Sequence, residues 1–245
     1  MAISMDKDRD SRVGRAEHVV RRLAAVTWAG ALLGLLVGGI GSRLAMLLLA
    51  RLNPQATGVT SDDGFTIGHL TTDTFNLLAV TTLIGVLGGG IYFVLRGLMF
   101  GPRWFQVASI SLGPAVVVGS MLVHVEGVDF TVLDPVWLSI VMFVVIPGVY
   151  AALLTVVGER WLSADSTFIT SSKWLAAAPL LLWIPLAPFL AVLVLALLAF
   201  EAVRRTRSGG VLLAHPAWPW LARAALVVLF MLAVFDLGRD TATLL

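Results

Sequence analysis

Between Leu23 and Ser42 the chain carries no charged side chain, within the stretch RRLAAVTWAGALLGLLVGGIGSRLAMLLLARLNP that runs from Arg21 to Pro54. An apolar run of this length crosses a bilayer. Lipid offers the backbone no hydrogen-bond partners, so a crossing segment of this kind must be helical. The expected fold is therefore all-α: a polytopic integral membrane helix bundle. Composition agrees, since 58% of residues are hydrophobic and 13% charged, against about a quarter charged in a soluble domain.

Repeating the same reading along the chain gives six transmembrane helices, at approximately 23–51, 75–95, 104–125, 135–157, 174–203 and 217–237, in one domain over 21–245. Residues 1–20 form a basic tail, read as solvated, with a short helix along the membrane surface as the alternative. Trp104, Trp137 and Trp161 sit where interfacial anchors belong. Pro114 and Pro147-Gly148 are expected bends, and Asp134-Pro135 is expected to cap the fourth span. The first span is too long for a signal-peptide core and is expected to be retained.

Lys7, Arg9, Arg12, Arg15, Arg21 and Arg22 precede the first span and place the N-terminus in the cytoplasm. Asp6, Asp8, Asp10 and Glu17 dilute that cluster, so no nucleic-acid partner is expected. The run 174–203 admits two readings. A single crossing distributes Lys and Arg 11 to six between the cytoplasmic and outer sides, whereas five spans plus a re-entrant hairpin at 174–203 give 14 to three. Charge favours the hairpin. Each arm would have only about 13 residues, roughly 20 Å, and its Trp183–Pro188 apex lacks side chains to satisfy a turn in lipid. The single crossing is the preferred expectation, with both termini cytoplasmic.

Gly30, Gly34 and Gly38 recur on one face of the first span, and Gly85, Gly88 and Gly89 lie in the middle of the second. Small residues at such spacing allow two helices to approach closely. Just beyond the first set stands Arg43, a charge within a span. Such a residue faces the bundle interior and has a partner, or snorkels to the interface. A structural role is favoured over a transport or catalytic one, with Asp73 the expected partner and Glu126 second. Asp62, Asp63, His69, Asp73, His124, Glu126 and Asp129 all fall at the outer ends of the first three spans. Histidines and carboxylates together suit a divalent cation or a pH-sensitive gate, but the spacing fits no metal motif and solvated loops are the plainer reading.

No reaction is written in the chain. GxSxG, HExxH and GxxxxGK[ST] are absent, and the lack of cysteine removes disulfides, thiolate metal sites and c-type haem attachment. No cofactor is expected, b-type haem included. Arginine far outnumbers the two lysines and Ala, Val and Gly abound, which points to a GC-rich bacterial genome and so to a bacterial cytoplasmic (inner) membrane. The expected partners are the lipid bilayer and either other membrane subunits or further copies of the chain. The preferred function is a non-enzymatic accessory or assembly component of a membrane complex. A small transporter or channel with Arg43 in the pathway is the alternative, and an intramembrane enzyme the second.

Overall fold

The structure, a computed structural model, describes residues 2–61, 66–69, 72–163, 165–166, 178–188, 190–191, 195 and 217–245. Among these the chain is helical apart from its connections, and five helices are long and apolar enough to cross a membrane: Glu17–Leu52, Asp73–Leu95, Arg103–Leu122, Val136–Leu162 and Trp218–Leu244. The first is composite. Helix α1 (Ala2–Leu33) passes through a π-helical stretch (Gly34–Gly41) into α2 (Ser42–Leu52) without a break. It begins at Ala2, so the residues expected to form a solvated tail are helical in backbone. Then follow α3 (Asp73–Leu95), α4 (Arg103–Leu122), the single turn α5 (Val128–Thr131), α6 (Val136–Leu162), a 3-10 helix over Ala178–Trp183, and α7 (Trp218–Leu244).

Helices α1 and α3 pack backbone against backbone. A Cβ built on Gly30 would strike the Gly85 carbonyl, and one on Gly89 would lie 2.5 Å from the Val26 carbonyl oxygen. Only glycine permits this approach, because any side chain there meets a carbonyl group that cannot swing aside. Gly88 looks elsewhere. It faces Tyr150 of α6, whose hydroxyl donates to the Gly85 carbonyl at 2.7 Å and so pins α6 onto the α1–α3 pair. Ser111 of α4 donates to the Gly148 carbonyl beside the Pro147 bend, at 2.9 Å, and joins α4 to α6.

Direction follows from the same contacts. Arg223, near the start of α7, donates to the Leu98 carbonyl at 2.9 Å and stacks over Phe100, both in the turn between α3 and α4. At its other end Leu237 and Leu244 pack on the cluster of Val123, Phe130 and Ile140, beyond the far end of α4. Helix α7 thus runs parallel to α4 and starts on the face where α6 ends. The sixth span expected at 174–203 is not among the five helices long and apolar enough to cross a membrane in the described residues. Most of 174–203 lies outside the described residues. Its described part includes Trp183, which packs on Gly90 and donates to the Thr27 hydroxyl at 3.0 Å, and Leu186, buried against Ala31 and Val86.

Candidate functional site

The π-helical stretch decides where Arg43 points. In an uninterrupted α-helix Gly30, Gly34, Gly38 and Ser42 would share the face toward α3. A π turn is wider by about one residue, and the close-packed series here is Gly30, Gly34, Gly39 and Arg43. The first three meet Gly85, Thr81 and Leu78 of α3 in turn, and Arg43 meets Thr74. Gly38 is displaced to a looser contact with the Thr81 side chain, 3.3 Å from where its Cβ would be. Four glycines in eight residues supply the backbone freedom for this stretch.

Arg43 is 6% exposed. Its Nη2 donates to Thr74 Oγ1 at 2.7 Å, Met46 Sδ lies 3.9 Å from Nη1, and Asp73 is the carboxylate that acts on it electrostatically. The guanidinium is thus clamped to the first turn of α3, the helix whose start carries Asp73 and Thr74. Asp73 itself is exposed. Glu126, the second expected partner, lies in the exposed segment after α4.

The remaining outer-face candidates are spread over two connections. His69 is exposed ahead of α3, and His124 is exposed just past α4 with its Nδ1 3.0 Å from the Leu122 carbonyl and its ring edge-on to Phe130. Asp129 is buried in the first turn of α5. Asp62 and Asp63 lie outside the described residues. Among the described residues no three His, Asp or Glu side chains gather as a metal site.

One residue on this face has no role assigned to it from sequence. Asn53 is 1% exposed; its Nδ2 donates to the carbonyls of Leu49 and Asp134 at 3.0 and 2.7 Å, and its Oδ1 accepts from the Asp134 amide at 2.8 Å. It closes α2 and ties it to the start of α6. Asp134 was expected to cap α6 with its side chain, but the helix starts at Val136 with no side-chain cap, and Asn53 takes the Asp134 backbone groups instead.

A second polar site lies at the opposite face, at the ends of α3, α4 and α6. Tyr92 donates to Glu159 Oε1 at 2.7 Å, and Arg96 Nη2 lies 3.0 and 3.1 Å from the two carboxylate oxygens. Beside this triad is a cavity of about 280 Å³ lined by Tyr92, Arg103, Gln106, Val107, Thr155 and Glu159. In the sequence Arg96 and Arg103 enter only the count of basic residues on the cytoplasmic side, and Glu159 carries no expectation. The available signal was an acid placed in the last turn of a span opposite arginines on the neighbouring helix end.

No family model, curated protein or solved structure matches the chain. The residues alone carry the functional reading.

Proposed function

We propose that the chain is a non-enzymatic component of a bacterial inner-membrane complex, working through assembly with other membrane subunits or with copies of itself. The observation that carries this is the burial of Arg43 in a structural clamp. Other polar groups at bilayer depth are likewise taken up in packing: the Tyr150 hydroxyl on Gly85, Ser111 on Gly148 and Trp183 on Thr27. A transport pathway requires polar groups that face water along the depth of the bilayer, whereas the polar groups that do converge, around Tyr92, Arg96 and Glu159, lie at one face. Helix α7 offers the complementary feature, an apolar surface little covered by the rest of the chain, with Val227, Val228, Leu232 and Phe235 all more than half exposed.

In this reading the N-terminal face is cytoplasmic, the chain crosses five times with a re-entrant excursion between α6 and α7, and the C-terminus is external. The 14 to three distribution of basic residues supports that orientation. The test is purification of the full chain from its native membrane in mild detergent. A companion membrane protein retained in fixed ratio, or a discrete oligomer, is the expected result. A lone chain whose melting temperature rises with a small ion or solute, and loses that response in Arg43→Gln, would overturn the reading in favour of transport.

A further inference from the structure

We propose that the cavity between the ends of α3, α4 and α6 on the N-terminal face is a binding site for a phosphate group, presented by an anionic lipid of the adjoining leaflet and held chiefly by Arg103. The donors and acceptors point one way. Glu159 is neutralised by Arg96 and further occupied by Tyr92. Thr155 donates its hydroxyl to the Ala151 carbonyl at 2.8 Å, and one amide proton of Gln106 goes to the Gly101 carbonyl at 2.9 Å. What remains for a ligand is the guanidinium of Arg103, which makes no hydrogen bond or ion pair among the described residues, with the second amide proton of Gln106 beside it. A guanidinium fork with a neighbouring donor is the arrangement that holds phosphate oxygens in pairs.

Depth selects the source. Trp104 and Phe105 follow Arg103 directly and pack edge to face, with ring centroids 5.8 Å apart, and Phe105 meets Phe100 at 5.7 Å. Arg223 stacks between Phe100 and Trp220, 5.0 and 4.9 Å from their ring centres. Such a belt of aromatic rings and arginines marks the headgroup level of a membrane, and basic pockets between helix ends at that level take anionic headgroups. The cavity, about 280 Å³, is at the lower limit for small-molecule sites and suits a headgroup rather than a whole lipid.

The test is thermal unfolding of the full chain in a neutral detergent, with dihexanoylphosphatidylglycerol, dihexanoylglycerol or inorganic phosphate added, for the wild type and Arg103→Gln. Arg103 is exposed, so the variant should melt like the wild type without additive. The expected result is a rise of about 5–10 °C with the phospholipid at roughly a hundredfold excess over Kd, none with the phosphate-free lipid, and loss of most of the rise in Arg103→Gln. A rise with inorganic phosphate alone that matches the phospholipid and also depends on Arg103 keeps the phosphate site but assigns it to a soluble ligand. Equal shifts in wild type and variant, a shift with the phosphate-free lipid, or no shift with either phosphate source would overturn the proposal.

Discussion

Replacing Gly85 with alanine puts one methyl group where the structure has no room for it. The new Cβ would fall on the Gly30 carbonyl and 2.7 Å from the Gly34 Cα, whereas ordinary contact begins at 3.4 Å, and both neighbours are backbone. The two helices would have to part by the best part of an ångström, which loosens the contacts of Gly30, Gly34 and Gly89 together. Overpacking of this kind costs about 1–3 kcal/mol, against a gain of about 1 kcal/mol from the better helix propensity of alanine. Gly238→Ala in α7 separates the two effects, because a Cβ there meets nothing within 4 Å. Both variants share the propensity gain, so their difference isolates the clash: about 1–3 kcal/mol, or roughly 2–12 °C for a chain of this size. Thermal unfolding in detergent, followed by circular dichroism, measures it. Gly85→Ala should melt below the wild type and Gly238→Ala at or above it. Indistinguishable melting of the two would mean that the α1–α3 contact is not close-packed in the folded protein.

Topology is tested by reporters fused after Arg207 and after Leu245: the first should read on the N-terminal side and the second on the opposite side, while the reverse pattern would restore a single crossing by 174–203. At the Arg43 clamp, Thr74→Val should cost about 1.5–3 kcal/mol, the worth of a hydrogen bond to a charged group, and Asp73→Asn, at an exposed position, less than about 1 kcal/mol. Arg43→Gln combined with Thr74→Val should lose less than the sum of the two single changes in the same melting assay; strictly additive losses would place the hold on Arg43 elsewhere.

The membrane class and the starts of α3, α4, α6 and α7 follow from composition along the chain, because a bilayer of fixed thickness demands apolar runs of fixed length with interfacial residues at their ends, while α6 and α7 continue past the expected 157 and 237 to Leu162 and Leu244. The glycine faces were legible in part for a related reason: small residues four apart share one face of an α-helix, which holds for Gly30 with Gly34 and Gly85 with Gly89 but fails at Gly38, inside the π-helical stretch. Three things were not legible. The partner of each glycine depends on how α3 and α6 are placed, which is why Gly88 meets Tyr150 rather than the first helix. The aim of Arg43 depends on a π turn, a change of helical register that a period of 3.6 residues does not contain. The triad of Tyr92, Arg96 and Glu159 joins residues more than 60 positions apart; only the parallel packing of α3 and α6, with both C-terminal ends on one face, brings them together. Local chemistry sets which segments enter the membrane; which side chains then meet is decided by helix register and by packing between segments distant in sequence.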